Sequence, residues 1–288
     1  MAIEFGETFV ANTRDYSRAN AYWLGQASLL AYATAPEIQA AVAGWGLTTD
    51  FQFFDKLETQ AFIAGDDRLL ILAFRGTTRL LDWIQDAQFD LVGGPAGRVH
   101  EGFLVALSFV WREVLDFIQT KRNGRAIWVT GHSLGAALAA LAVAKLRLER
   151  DEPLNGLYTF GQPRGGDQTY ATAFDANFGA QTFRYVNDRD IVARVPLRLM
   201  QYSHVGTFKY FDRKGVQRDD ANWDDIIKRR ITAPIAALIP PILPVTDFLV
   251  PHNPAAFAKL ISRNVEEFDD HRMDHYVENL DKALLEVL

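Results

Sequence analysis

The chain of 288 residues contains no cysteine. A disulfide, a thiol nucleophile and a thiolate metal site are therefore excluded, while the compartment stays open. The formal net charge of -6 argues against a nucleic-acid partner and against electrostatic binding to anionic lipid. The N-terminal residues MAIEFGE include neither a basic region nor an apolar core, so no signal peptide is visible. We expect a protein that is cytoplasmic or secreted by a route that the sequence does not show.

Hydrophobic residues make up 49% of the chain and aromatic residues 12%, which is enough for a full core in one domain over residues 1–288. Apolar residues at helical spacing predict helices, and short apolar runs between turn residues predict strands. The predicted helices are Ser17 to Ala33, Val99 to Thr120 and Tyr276 to Leu288, and the predicted strands include 51–54, 59–64, 68–74, 157–160 and 182–186. Their alternation predicts an α/β fold with a mostly parallel central sheet that is covered by helices on both faces.

A short apolar run leads into the pentapeptide Gly-His-Ser-Leu-Gly at 131–135, and an alanine-rich segment follows. The pattern G-x-S-x-G between a strand and a helix predicts a nucleophile elbow, a sharp turn that holds Ser133 exposed beside a base. Gly131 and Gly135 have no Cβ, so the strand and the helix can approach closely. The backbone N–H of Leu134 is then expected to point at a developing oxyanion.

A serine nucleophile needs a base and an acid that orients the base, and with this elbow both follow the serine in the chain. Asp188 and Asp190 lie just beyond a predicted strand. Strand alternation places both side chains on the same side and cannot separate them.

Four histidines follow the serine and are candidates for the base. His204 lies close to the acid in sequence and is interpreted as structural, and His252 lies among prolines in a predicted loop. His271 precedes the predicted terminal helix, where a loop can bring it to the serine, and this favours it over His275. Clustered aspartates and histidines at 269–275 could mimic a metal site, but their spacing matches no known ligand pattern, so we expect no metal and no cofactor.

A second oxyanion donor is expected after an earlier strand. The apolar strand 70–74 ends in a glycine turn that presents the backbone N–H and hydroxyl of Thr77. Loss of one such donor typically costs about 10²–10³ in rate.

The segment that follows, Arg79 to Gln88, is predicted to form an amphipathic helix. Leu80, Trp83 and Ile84 form an apolar stripe at helical spacing. An ordinary surface helix packed on the core explains the same stripe. Possible hinges at Gly76 before the segment and GGPAG (93–97) after it favour a movable lid.

The segment Ile231 to Pro251 is apolar over a length that could nominally span a bilayer. Its five prolines argue against a transmembrane helix, because each interior proline removes a backbone hydrogen bond. A buried excursion over the core and an apolar wall beside the active site remain as alternatives.

Several segments together resemble the class 3 lipases, the fungal-type triacylglycerol lipase family. The matching stretches are FRGTT (74–78), DWIQD (82–86), VHEGF (99–103), GHSLG (131–135), TFGQPRGG (159–166) and VNDRDIV (186–192) with Pro196. The resemblance covers roughly residues 17–210 and the C-terminal histidine region. It implies the α/β-hydrolase fold with a lid at about 78–92 and, as a departure from compact members, a long insertion at about 219–264.

The resemblance also assigns roles to particular residues. It implies a triad of Ser133, Asp190 and His271, with His275 as the runner-up base. It implies an oxyanion hole formed by Thr77 and the Leu134 backbone. The histidines at 100, 132 and 204 fall in positions that the family treats as structural.

The resemblance implies hydrolysis of lipid esters, with acylglycerols as the first expectation and transient contact with a lipid–water interface. Phospholipase A1 and monoacylglycerol lipase use the same catalytic parts and remain alternatives. A non-catalytic interaction module on the same fold is the alternative from a different class. The head group, acyl length and oligomeric state stay open.

Overall fold

A computed structural model describes residues 3–77, 90–196, 198–219 and 269–287. The helices are α1 Phe5–Thr8, α2 Arg18–Leu30, α3 Ala35–Gly44, α4 Glu101–Lys121, α5 Leu134–Ala144, α6 Gln168–Phe178 and α7 Met273–Leu285. The strands are β1 Asp50–Lys56, β2 Thr59–Gly65, β3 Leu69–Phe74, β4 Leu91–Gly94, β5 Gly97–His100, β6 Ala126–His132, β7 Gly156–Phe160, β8 Thr182–Asn187, β9 Thr207–Phe211 and β10 Gln217–Arg218. Most of the predicted lid, with Leu80, Trp83 and Ile84, and nearly all of the predicted insertion, with His252, lie outside the described residues.

Eight strands form one sheet in the order β1-β2-β3-β6-β7-β8-β9-β10 within the described ranges. The five strands β3, β6, β7, β8 and β9 run parallel to one another, and β1, β2 and β10 pair antiparallel at the two edges. The expectation of a mostly parallel sheet is confirmed. Because parallel strands share a direction, the carboxyl ends of β3, β6, β7 and β8 meet at one edge of the sheet, where ligand sites of open α/β sheets form.

Apolar side chains leave both faces of the sheet, as the continuous hydrophobic strands predict. Within β3, Leu70, Leu72 and Phe74 belong to the core under α4, α5 and α6. Their neighbours Ile71 and Ala73 belong to the core under α1, α2, α3 and α7. Helices therefore cover both faces of the sheet, as predicted.

The predicted helix 99–120 begins two residues later than expected. Val99 and His100 lie in β5, which pairs antiparallel with β4 through Gly94 and Gly97. The segment GGPAG (93–97), interpreted as a hinge for the lid, contains the turn of this hairpin, and the last two residues of the predicted lid, 91 and 92, belong to β4. The hairpin satisfies backbone groups that a hinge would leave to solvent.

The terminal helix also differs from its prediction, because it begins at Met273 rather than Tyr276. His275 therefore lies inside the helix, whereas His271 precedes its N-cap, Arg272. In the described part of the chain, no helix is both long enough and apolar enough to cross a bilayer.

Candidate active site

The candidate active site lies at the carboxyl ends of the parallel strands. β3 leads to Thr77, β6 to Ser133, β7 to Gly161 and β8 to Asp190. The parallel register pairs Phe74 with Gly131 and Gly131 with Thr159, so these strand ends lie side by side. The topology thus brings together residues that are far apart in the sequence.

Ser133 occupies the sharp turn between β6 and α5. Its backbone has φ 58 and ψ -128, a strained region for a residue with a Cβ. A Cβ on Gly131 would overlap the backbone of Gly135, and one on Gly135 would overlap the backbone of Phe74. Both glycines of the motif are therefore required by close backbone packing, as the sequence predicted.

The backbone of the elbow is also tied to the next strand. The Ser133 N–H donates to the carbonyl of Phe160 at 2.9 Å, and the Ser133 carbonyl accepts from the N–H of Ala136 at 3.0 Å. The strained conformation is held from both sides, which fixes the position of the hydroxyl.

Asp190 and His271 form a buried pair beside this turn. His271 Nδ1 lies 3.0 Å from Asp190 Oδ1 and 2.9 Å from Oδ2. A carboxylate can only accept, so we infer that Nδ1 carries the proton and that Nε2 of the neutral ring carries the lone pair. Asp190 is 0% exposed and His271 4% exposed, so water does not compete for this contact.

Two further donors hold the Asp190 side chain. The Tyr276 hydroxyl donates to Oδ2 at 2.7 Å, and the Val192 N–H donates to Oδ1 at 2.8 Å, in addition to His271. Burial alone raises the pKa of the Asp190 carboxyl, but the His271 imidazole and the hydrogen bonds from His271 and Tyr276 outweigh it and lower the pKa. Asp190 is therefore ionised over the neutral pH range.

One polar atom of the serine and one of the histidine are left without a partner among the described residues. Ser133 Oγ and His271 Nε2 are both buried and make no hydrogen bond to the described residues. The His132 ring, next to Ser133 in the chain, stacks on the His271 ring at a centroid distance of 4.5 Å. Contacts between nucleophile and base are often long in free enzymes and tighten when substrate binds.

The structure places the other candidate residues differently. His275 lies 3.9 Å from Asp269 at the protein surface and has no contact with Asp190. The Asp188 carboxylate accepts from the Tyr210 hydroxyl at 2.6 Å, so it points away from His271. The geometry thus brings Asp190 and His271 together, and leaves Asp188 and His275 outside the pair.

The predicted oxyanion donors flank Ser133. Leu134 is the first residue of α5, where backbone N–H groups have no partner within the helix. A Cβ on Gly76 would lie 3.0 Å from Ser133 Cβ, so the turn that carries Thr77 lies against Ser133. Thr77 itself is half-buried and is the last described residue before 90.

Of two further histidines that are interpreted as structural, His100 is buried and His204 is partly buried. Burial lowers the pKa of His100 to about 4, and burial also lowers the pKa of His204. His204 Nε2 donates to the Ala193 carbonyl at 2.8 Å. Both rings are therefore neutral near pH 7.

Gly161 and Tyr276 are site residues whose roles the sequence reasoning did not derive. Gly161 has φ +59, and a Cβ there would lie 2.6 Å from Asp190 Oδ2 and 2.7 Å from His271 Cε1. Tyr276 links Asp190 to the backbone, because its hydroxyl also accepts from the Asn187 N–H at 2.9 Å. A sequence signal exists for Gly161, because it is a glycine directly after a buried strand. The role of Tyr276 depends on tertiary packing, so no local pattern indicates it.

The mostly parallel sheet, the strained serine turn and the aspartate–histidine pair at the strand ends define an α/β hydrolase. Residues 71–200 match the family model for class 3 lipase. A lipase of Rhizomucor miehei is 36% identical over 162 residues, covering 52% of this chain and 44% of that protein. Secreted mono- and diacylglycerol lipase A of Penicillium cyclopium is 33% identical over 183 residues, covering 59% of this chain and 57% of that protein.

Solved structures give the same result. A triacylglycerol lipase whose catalytic centre is formed by a serine protease triad is 30% identical, with a TM-score of 0.56, covering 67% of this chain and 78% of that chain. The chain belongs to the class 3 lipase family. It spans about half the length of the two curated relatives described above.

Proposed function

We propose that the chain is a serine carboxylester hydrolase that cleaves acylglycerols, with Ser133 as nucleophile, His271 as base and Asp190 as the acid that orients the base. The observation that carries the proposal is the buried Asp190–His271 pair beside a serine held at positive φ. A structural serine needs neither a strained turn nor a buried histidine whose Nε2 is left for proton transfer. The names of the relatives support the substrate class.

In this mechanism Ser133 Oγ attacks the ester carbonyl carbon and its proton moves to His271 Nε2. Asp190 stabilises the imidazolium, and the backbone N–H groups of Thr77 and Leu134 stabilise the oxyanion. The C–O bond to the glycerol oxygen then breaks as His271 returns the proton to that oxygen. Water attacks the acyl-enzyme in the same way, releases the fatty acid and restores the serine.

The decisive experiment is ester hydrolysis by purified wild type and Ser133→Ala. We expect the variant to lose turnover and labelling by a fluorophosphonate, because the attacking oxygen is removed. Ser108→Ala is the matched control, since Ser108 is exposed on α4 and, among the described residues, its hydroxyl donates only to the Val105 carbonyl. Retained turnover in Ser133→Ala would contradict the proposal.

A substrate panel of mono-, di- and triacylglycerols and phosphatidylcholine then tests the substrate class. Each buried methylene contributes about 0.8 kcal/mol, so we expect rates that change by at most about four-fold per methylene rather than a sharp cut-off. A rate increase above the aggregation threshold would support transient action at a lipid–water interface. Preferential release of fatty acid from the phospholipid would instead support phospholipase A1.

The sequence leaves two locations open, the cytoplasm and the outside of the cell. The name of the Penicillium relative favours the second, secretion.

A further inference from the structure

The residue before the nucleophile, His132, uses both ring nitrogens inside the protein. Its Nε2 lies 2.6 Å from the backbone carbonyl of His271, and its Nδ1 lies 2.8 Å from the Tyr32 hydroxyl. The carbonyl can only accept, so Nε2 carries the proton, and Nδ1 must accept from Tyr32. His132 is therefore held as one tautomer by two partners.

Tyr32 contacts His132 although the two residues lie 100 positions apart in the sequence. It follows α2 in a turn in which its N–H donates to the Leu29 carbonyl at 3.1 Å. Its hydroxyl also lies against the backbone of Gly76, the residue before Thr77. One hydroxyl thus contacts both the turn of the proposed oxyanion hole and the ring beside the nucleophile.

His271 lies in the turn just before the N-cap of α7, where the Arg272 N–H donates to the Asp269 carbonyl at 3.0 Å. Asp190 holds its ring through Nδ1, but a single hydrogen bond leaves the ring free to swing about that contact. The bond from His132 to the His271 carbonyl and the stacking of the two rings remove this freedom. The His271 backbone and ring are therefore both fixed relative to the residue next to Ser133.

We propose that Tyr32 and His132 are positioning residues that align His271 Nε2 with Ser133 Oγ by holding His132 as the Nε2–H tautomer. The inference rests on the proposed hydrolase function. His132 does not exchange protons during turnover, and Tyr32 acts only through it. The role goes beyond filling space, because it requires the donor at Nε2 and the acceptor at Nδ1 in a defined arrangement.

Three variants separate the hydrogen bonds from packing. His132→Phe keeps a ring against His271 but removes both hydrogen bonds, and we expect kcat to fall about 10- to 100-fold with KM little changed. His132→Gln keeps an N–H that can reach the His271 carbonyl, so it should recover part of this loss. Tyr32→Phe should lower kcat about three- to ten-fold. Tyr22→Phe is the matched control, because Tyr22 lies on α2, the helix before Tyr32, and its hydroxyl makes no hydrogen bond to described residues.

Nuclear magnetic resonance on protein labelled with 15N-histidine tests the arrangement without substrate. We expect His132 Nε2 to have a pyrrole-type shift and Nδ1 a pyridine-type shift in wild type. We expect Tyr32→Phe to move the Nδ1 signal, and His132→Phe to move the low-field proton of His271 Nδ1. Failure of the proposed function would appear as wild-type turnover that does not depend on Ser133, and it would leave these spectra unchanged.

Thermal unfolding measured by circular dichroism gives the folded fraction of each variant. A His132→Phe enzyme that keeps the wild-type kcat, or that loses activity only in proportion to its unfolded fraction, would overturn the proposal. A His132 with its proton on Nδ1 would overturn it as well.

Discussion

Replacement of Gly161 by alanine should separate catalysis from folding. The glycine has φ +59, and its missing Cβ would lie 2.6 Å from Asp190 Oδ2 and 2.7 Å from His271 Cε1. Ordinary contact begins near 3.4 Å, so the His271 ring must move by the difference, roughly 0.7 Å. A displacement of about 1 Å in an active site can cost 10²-fold in rate, and we expect kcat to fall about 30- to 100-fold.

The same substitution also costs stability. The left-handed conformation costs alanine about 1–2 kcal/mol, and overpacking adds about 1–3 kcal/mol. Steady-state hydrolysis of a soluble p-nitrophenyl ester gives kcat, and urea unfolding gives the free energy of unfolding. At temperatures well below the unfolding transition the variant should be folded and slow.

Gly165→Ala is the matched control in the same loop. Its added Cβ would meet only Tyr170 Cε1, at 3.9 Å, so kcat should stay at the wild-type value. The reasoning is refuted by a folded Gly161→Ala enzyme whose kcat equals that of Gly165→Ala, since the His271 ring would then tolerate the displacement.

Three further predictions concern the same site. Tyr276→Phe removes a donor to Asp190 and should lower kcat about ten-fold and the free energy of unfolding by about 1–3 kcal/mol, measured by ester hydrolysis and urea unfolding. His271→Ala should reduce ester turnover by at least about 10³-fold, whereas His275→Ala should leave it near wild type, because only the former residue contacts the acid. Burial and the neighbouring His271 ring lower the pKa of His132 from 6.5 to about 3. As the pH falls, His132 therefore takes up a proton in the unfolded chain before it does so in the folded one. The His132 term should therefore reduce the free energy of unfolding by about 2–3 kcal/mol between pH 6.5 and about 4.5, measured by urea unfolding across this pH range.

Each of these predictions has an opposing result. Unchanged kcat in Tyr276→Phe would show that His271 alone orients the carboxylate. Full turnover in His271→Ala, or loss of turnover in His275→Ala, would assign the role of base to His275 in α7 rather than to His271. A His132→Gln variant that shows the same pH slope of stability as wild type would show that His132 already binds a proton in the folded state.

The elbow was predictable because its constraints are local. A glycine on each side of Ser133, a strand before it and a helix after it specify one turn, and the structure has that turn. The preference for His271 over His275 came from the start of the last helix, and the helix does begin between them. That boundary was set three residues too late, at Tyr276, but the error did not change the order of the two histidines.

The choice between Asp188 and Asp190 needed tertiary information. The rule that alternate residues share a side holds within a strand, but β8 ends at Asn187. A turn follows in which the Asp190 N–H donates to the Asn187 carbonyl at 2.9 Å. The two carboxylates therefore diverge, one toward β9 and the other toward His271. Only the resemblance to a family had separated them.

The contact between Tyr32 and His132 joins residues 100 positions apart, and no local pattern predicts it. The hairpin at 93–97 was missed for a different reason. Glycine permits both a hinge and a tight turn, and the pairing of β4 with β5 decides between them.

The proposed base, His271, lies just before the last described helix, α7, and that helix packs on α2. A Cβ on Gly25 of α2 would lie 2.5 Å from Cδ1 of Leu280 in α7, so the two helices are in close contact at this glycine. The sheet, the serine turn and Asp190 can form before these helices meet, but His271 reaches Asp190 only when they have docked. Such long-range contacts form late in folding because loop closure opposes them. Recovery of ester turnover during refolding therefore reports the docking of α7 on α2. A spectroscopic signal from the sheet alone should recover earlier.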